Sequence, residues 1–310
     1  MTGTSDSVLR ILLVTLSNIG DAIMTTPVME ALHAKYPKAQ LDIVTDPRSA
    51  NLFAHCPYRG KLYLRDKQLG WRGTLALLHQ LRQIHYDLVV DLRTDGLAWL
   101  LHTRRRLTRW GCRPAGSHAV ERHMAVIARR ENISGIPPVC VWLSSDEHRF
   151  ASETFSALPG TRWLALAPGA RWESKRWPVS HFIELAGTLQ QEFDALLLVG
   201  SKTDAACCRE LAEAQLLPCL NLAGKTTLLQ TGALLQHTRL FVGNDSGPGH
   251  LAAAAGIPTL TLFGPGDPQR YHPWNPQGRW LQSTTGRMVD LSPDAVARNA
   301  LEQLAGCAGA

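Results

Sequence analysis

"LFVGNDSGPGHLAAAAGIPTLTLFGPGDP", residues 240–268, decides the fold: it reads as strand, glycine-rich loop, helix, strand and second glycine-rich loop. Residues 240–242 are apolar, the glycines between 243 and 249 cannot continue a strand, and 250–255 are small and helix-forming until Gly256 and Pro258 end them. Backbone N–H groups at such a helix start have no internal partner and sit at the positive end of the helix dipole, so Ser246 and Gly247 are placed to approach a phosphate. A nucleotide diphosphate suits that pocket. Two imitations fail on context. "NDSG" matches a serine-protease nucleophile loop, but a helix of small residues follows it here. "AGKTT" at 223–227 has Cys219 where a P-loop needs its leading glycine. The plain alternative is that Asp245 and Ser246 only cap a helix.

Two more turns of this kind stand in the chain, one in each half. The apolar run 8–16 ends in "SNIGD", and 22–36 then places Ile23, Pro27, Val28, Ala31 and Leu32 on one helical face. Gly20 and Asp21 therefore sit where a first strand turns into a first helix. In an open α/β sheet that carboxyl edge is where ligands bind, so Asp21 either faces a ligand or caps the helix. The other turn, "LALAPGARWESKRWP" at 164–178, runs a strand into a loop with Gly169. It gathers Arg171, Lys175 and Arg176 between Trp172 and Trp177. Cations beside a phosphate cradle neutralise charge that is costly to bury.

"SNIGDAIMTTPVMEAL", "APGARWESKRWP" and "VGNDSGPGHLAAAAGIPTLTLFGPGDP", in this order over about residues 8–285, resemble the bacterial lipopolysaccharide heptosyltransferases, glycosyltransferase family 9. The resemblance implies an α/β fold of GT-B architecture, with two Rossmann-like doubly wound parallel-sheet domains facing a central cleft. The N-terminal domain would hold the acceptor and the C-terminal one ADP-heptose. It implies Asp21 as general base on an acceptor hydroxyl. Lys175 and the Ser246–Gly247 helix start would meet the leaving pyrophosphate in place of a metal. Gly169 and Arg171 belong to the donor loop, Asp245 and His250 to the sugar hydroxyls, and Asp204, after "LLLVGS", to a ribose hydroxyl. Such a reaction is inverting and metal-independent, with no cofactor beyond the donor substrate. One departure is Gly266, where the family commonly has Thr. The acceptor stays open among inner-core Kdo, a first heptose and a branch heptose, and "PGARWESKRWP" leans toward the branch-adding members.

The rest of the chain alternates in the same way. Strands are expected at 10–16, 40–45, 61–64, 87–92 and 107–110, then from 163 and at 195–199, 218–222, 240–242 and 259–263. A helix at 71–84 carries Leu75, Leu78, Leu81 and Arg82 at helical spacing. Alternation of this kind predicts parallel sheets covered on both faces. A chain of 310 residues suits two domains of about 150 each. The expected division is 1–158 and 159–310, with the proline-rich "SGIPPV" at 134–139 as the best break and 158–161 as the other candidate. The stretch 293–304 reads as a final helix, which in GT-B proteins often crosses back to the first domain.

Charge separates the halves. Residues 1–155 hold 20 Lys+Arg against 14 Asp+Glu, and 156–310 hold 12 against 12, so the net +6 lies in the N-terminal half. Arg104, Arg105, Arg106, Arg109 and Arg113 are the expected acceptor-binding cations, continued by Arg122, Arg129 and Arg130, with Glu121 as their acidic counterweight. Nucleic acid is not the expected partner, because no nucleic-acid module accompanies the patch. A phosphorylated lipopolysaccharide core at a membrane fits better: anionic headgroups attract basic residues by about 1 kcal/mol each. No apolar run approaches the roughly 20 residues of a membrane span, so a cytoplasmic protein, peripheral on the cytoplasmic face of the inner membrane, is expected. The seven cysteines include Cys207 and Cys208 but no C-x-x-C pair, the histidines are scattered, and no Asp-x-Asp occurs, so neither metal nor disulfide is expected. The alternatives are a GT-B transferase using another nucleotide sugar, a nucleotide-sugar-binding protein, or an epimerase. The last is weakened because no G-x-G-x-x-G follows the first strand.

Overall fold

The computed structural model describes residues 9–93, 96–156 and 158–308; Val8, which opens the first apolar run, lies outside them. The chain divides into two compact units between Pro138 and Val139. The first contains β1 (Arg10–Val14), α1 (Ile19–Ile23), α2 (Thr26–Lys35), β2 (Gln40–Thr45), β3 (Arg59–Leu64), α3 (Gly70–Arg82), β4 (Tyr86–Asp91), β5 (Thr103–Thr108) and α4 (Ala119–Glu131). Its strands pair in parallel in the order β3-β2-β1-β4-β5. Ile11 to Val14 are buried without interruption, as a central strand covered on both faces requires.

The second unit contains α5 (Ser145–Phe155), β6 (Trp163–Ala167), α6 (Val179–Leu189), β7 (Ala195–Leu198), α7 (Ala205–Glu213), β8 (Cys219–Asn221), α8 (Leu228–Leu235), β9 (Leu240–Asn244), α9 (Gly247–Ala254), β10 (Thr259–Phe263), α10 (Pro268–Tyr271), β11 (Gly278–Gln282) and α11 (Pro293–Ala308). The parallel order is β11-β10-β9-β6-β7-β8. In each sheet the order reverses beside the first strand, between β1 and β4 and between β6 and β9. Those reversals are the switch points where neighbouring connections diverge and leave a crevice at the carboxyl ends. Leu164, Leu166, Phe182, Leu185 and Val242 fill the core around Trp177, whose indole N–H donates to the Leu291 carbonyl at 2.8 Å. Burying each such apolar side chain contributes about 1.5–3 kcal/mol.

The unit boundary falls within the 134–139 segment and not at 158/159, because α5 packs against α8 of the second unit. A reciprocal cap starts α5: the Ser144 side chain accepts from the Asp146 N–H, and Glu147 accepts from the Ser144 N–H at 2.9 Å. α11 packs on α6 and β9 of its own unit, burying Val296, Ala297 and Ala300.

Other differences from the sequence reading are local. β5 begins at Thr103 and ends at Thr108, not 107–110, because register with β4 recruits an arginine run that buries only Leu107. β11 was unanticipated: it is an edge strand with no apolar alternation, held by pairing with β10. The expected helix 22–36 is two helices, broken where the Thr25 hydroxyl donates to the Ala22 carbonyl and the Thr26 hydroxyl to the Ile23 carbonyl, just before Pro27. In α3 the core takes Leu77 and Leu81, with Leu78 half-buried, whereas Leu75 is exposed.

Candidate functional site

The carboxyl end of β9 turns into α9 at the second unit's switch point. A Cβ at Gly243 would lie 2.7 Å from the Phe241 ring and 2.9 Å from the Ala167 Cβ, so glycine is what lets β9 lie this close to β6. The next residue, Asn244, is fully buried and bridges the two strand ends. Its amide donates to the Pro168 carbonyl at 2.8 Å and accepts from the Trp177 N–H at 3.1 Å, fixing both ends of the 168–177 loop. Ser246 is the N-cap of α9 but makes no side-chain capping bond; its hydroxyl donates back to the Asn244 carbonyl at 3.1 Å. The Gly247 N–H, first in the helix, has no intrahelical acceptor, and Pro248 carries no N–H. α9 thus opens with an amide end stripped of the usual serine cap.

Lys175 arrives beside it on a short 3-10 turn, Glu173–Lys175, and its Nζ donates to the Asp245 Oδ2 as a salt bridge. The partners are 70 positions apart in sequence, and the Asp245 side chain is only 11% exposed. The third loop reaches the same carboxylate: a Cβ at Gly266 would lie 3.2 Å from the Asp245 Oδ2, and the Gly266 carbonyl accepts from the Gln282 amide at 2.9 Å. Asn244 and Gln282 escaped the sequence reading, the first because its partners are distant in sequence, the second because β11 was not recognised. The result is a corner in which one cation, one carboxylate and one helix amide end converge.

The neighbouring predicted residues divide into those beside this corner and those committed elsewhere. Asp204 is buried, and its Oδ2 accepts from the Ser201 N–H at 2.8 Å and from the Ser201 hydroxyl at 2.6 Å, so it closes the turn after β7. It also fills the space beside Gly169, where a Cβ would come within 2.1 Å of its Cγ. Gly169 is thus required by Asp204 whatever a ligand needs. Arg176 donates to the Ala170 carbonyl at 2.9 Å and pairs with Glu173 at 3.2 Å, and Trp177 is core. Arg171 is exposed and stacks its guanidinium over exposed Trp172, 5.3 Å from the ring centroid. His250 is buried in α9.

At the first unit's switch point β1 gives way to α1. Gly20 is buried and Asp21 half-exposed. The N-cap is Asn18, so Asp21 stands inside the first turn, and its Oδ2 accepts from the Asn18 amide at 2.8 Å. The structure therefore places the capping position at Asn18 and leaves Asp21 with a carboxylate at the carboxyl edge of the first sheet.

The arginines do not form one patch. Arg105 donates to the Tyr36 hydroxyl and pairs with Glu131 at 2.9 Å, and the Tyr36 hydrogen bond first, then the Glu131 charge, raise its pKa above the usual arginine value. Arg106 donates to the Ala98 and Leu101 carbonyls, both at 2.7 Å. Arg104 approaches Asp87 at 3.6 Å. The counterweights are thus Glu131 and Asp87, whereas Glu121 caps α4 by accepting from the His118 N–H. Arg105 is level with Leu88, itself level with Ile11, near the amino ends of the strands. At about 3.3 Å per residue, Thr108 at the carboxyl end is roughly 10 Å further along. Arg109 and Arg113 follow that end; Arg104 to Arg106 precede it. Among the described residues, no group of three or more His, Cys, Asp or Glu side chains is arranged to hold a metal ion, and no helix is long and apolar enough to cross a membrane.

Residues 74–300 match the family model described as glycosyltransferase family 9 (heptosyltransferase). Lipopolysaccharide heptosyltransferase 3 of Escherichia coli strain K12 is 30% identical over 284 residues, 82% of each chain. Lipopolysaccharide heptosyltransferase 1 of Pseudomonas aeruginosa is 30% identical over 299 residues, 84% of this chain and 80% of that one. Among solved structures, E. coli ADP-heptose lipopolysaccharide heptosyltransferase II matches with a TM-score of 0.79 at 26% identity, over 96% of this chain and 99% of that one.

Proposed function

The chain belongs to glycosyltransferase family 9, the heptosyltransferases of lipopolysaccharide core assembly, and from that premise we propose that it moves heptose from ADP-heptose to a phosphorylated inner-core acceptor. The donor reading draws on the solved relative, which is an ADP-heptose enzyme. The observation that carries the proposal is the Lys175–Asp245 pair at the uncapped start of α9, at the switch point of a doubly wound sheet. A diphosphate there takes charge from Lys175 and hydrogen bonds from the helix amides, while Asp245, an acceptor-only group, suits sugar hydroxyls.

The reaction is one displacement. The acceptor oxygen attacks the anomeric carbon, the carbon–oxygen bond to phosphate breaks, ADP leaves with the electron pair, and the acceptor proton passes to Asp21. Attack opposite the leaving group inverts the anomeric centre. Positioned proton transfer supplies typically ~10²–10⁴-fold, and one preorganised donor to the developing charge is worth about 3–4 kcal/mol. Lys175 and the α9 amides carry the charge that a metal carries in other transferases. A membrane-borne acceptor places the enzyme at the cytoplasmic face of the inner membrane. Heptosyltransferases 1 and 3 match at the same identity, so overall similarity does not select the acceptor sugar.

The test is transfer from ADP-heptose to truncated lipopolysaccharide cores in EDTA, with the product linkage read by NMR. An inverted linkage formed at an undiminished rate in EDTA supports the proposal. A retained linkage, or activity restored only by a divalent cation, rejects it.

A further inference from the structure

β3 ends at Leu64, paired with Thr45, so it ends at the same carboxyl edge of the N-terminal sheet from which α1 and Asp21 emerge. The chain then presents a run of large apolar side chains to solvent. Leu64 is 52% exposed, Leu69 62%, Trp71 69% and Leu75 53%. Trp71 and Leu75 lie one turn apart on α3, on a stripe separate from the core pair Leu77 and Leu81. α3 therefore carries more apolar surface than its own core uses. A patch of this kind marks an interaction surface.

Charge chooses the occupant. Residues 59–82 hold six Lys and Arg against one acidic residue, Asp66, whose carboxylate already accepts from the Gln68 N–H at 2.8 Å. Arg65 and Lys67 stand between Leu64 and Leu69, and the Arg72 guanidinium lies over the Trp71 ring at 5.6 Å. Two copies of such a patch repel one another, as does a basic partner. Exposed Trp and Leu set among Lys and Arg suit an anionic bilayer, where the rings enter the headgroup boundary and the cations meet phosphates. Trp110, 71% exposed, follows β5 at the same carboxyl edge, beside Arg109.

We propose that Leu64, Leu69, Trp71 and Leu75, with Lys67 and Arg72, form a docking surface for an anionic phospholipid bilayer. Docking there turns the Asp21 edge of the sheet toward the membrane. This rests on the proposed glycolipid acceptor only for its purpose; the binding is a property of the patch.

The test is sedimentation of the full chain with phosphatidylglycerol/phosphatidylethanolamine vesicles and with phosphatidylcholine vesicles. A Trp71→Ser/Leu75→Ser variant, a Lys67→Glu/Arg72→Glu variant and the wild type are compared, with circular dichroism as the fold check. Wild type is expected to bind the anionic vesicles preferentially. The serine variant should bind about tenfold or more weakly. The glutamate variant, which removes two cations and adds two anions, should lose at least roughly fivefold per position. Transfer to a deacylated, soluble core acceptor is measured alongside and should be unchanged in both variants. Equal sedimentation of wild type and variants overturns the docking surface, as does a Trp71-dependent dimer in ultracentrifugation without vesicle binding. Failure of the wild type to act on the soluble acceptor counts against the enzymatic reading instead, whatever the vesicles show.

Discussion

The two switch points hold their carboxylates in opposite ways. Asp245 is nearly buried, salt-bridged to Lys175, and follows Asn244, which ties β9 to both ends of a neighbouring loop. Asp21 is half-exposed, and its carboxylate accepts from the side chain of Asn18, three residues earlier. Asp21 follows the first strand of its sheet and Asp245 the strand beside the first of its own, so each stands at a carboxyl edge next to an order reversal, but the surroundings differ. A corner that meets a diphosphate needs charges fixed before the ligand arrives, because reorganising them during reaction costs part of the barrier they lower. A base needs an accessible carboxylate that can accept a proton and release it to solvent. Under the proposed mechanism the difference in burial and pairing matches the difference in task.

Substitution at each carboxylate corner separates the tasks. Asp21→Asn keeps the shape of the first corner and removes its base, so kcat should fall by ~10²–10⁴-fold while ADP affinity measured by calorimetry stays at the wild-type value. An undiminished kcat would strip Asp21 of its role. Lys175→Ala should lower kcat by ~10²–10³-fold and, unlike the first variant, weaken ADP binding as well, because Asp245 is left facing the diphosphate without its counter-ion. Should both variants lose donor affinity alike, the division between the corners fails.

The same contrast has a structural arm. Asn244→Ala leaves the Trp177 N–H and the Pro168 carbonyl without their buried partner, and urea denaturation should report a loss of roughly 2–5 kcal/mol. The Asn18 side chain makes no capping bond although it holds the N-cap position, so Asn18→Ala, at the exposed corner, should leave the urea midpoint within error and lower kcat only.

An ion pair away from both switch points supplies the control. Arg162 holds the Asp194 carboxyl down at about 2, chiefly through its side-chain hydrogen bonds, against the ordinary 3.8. A carboxyl lowered on folding stabilises above its unfolded pKa, and the gain is lost as pH falls through the folded value. Asp194→Asn should therefore be slightly less stable than wild type at neutral pH, with the gap closing between about pH 4 and 2 and the transfer rate unchanged.

What the sequence disclosed and what it withheld follow from the range of the interactions. β2 and β10 were legible residue for residue, because parallel strands buried on both faces write their burial into a local apolar run. The three glycine turns were legible because backbone geometry selects glycine locally. Of the four edge strands β3 and β8 were legible, whereas β5 was displaced and β11 missed, since those two are held by register with a neighbour and wear polar side chains. The break before Pro27 depends on two threonine hydroxyls turning back on the preceding turn, a choice that no apolar periodicity records. At the site, Asp245 and Lys175 could each be singled out as charged loop residues, yet their pairing across 70 positions could not. Arginine is the clearest lesson: a run of like charge reads as one surface, whereas Arg105 and Arg106 spend their donors on Glu131 and on the carbonyls of Ala98 and Leu101.

Calorimetric titration of the purified protein with ADP, UDP and GDP in EDTA asks whether the Lys175–α9 corner binds the proposed leaving group without a metal. ADP should bind tightly, insensitive to EDTA and in preference to the other two, with affinity weakened by Lys175→Ala and unaffected by Asp21→Asn. Preference for UDP or GDP, or binding of ADP that appears only with a divalent cation, would contradict the proposed reaction.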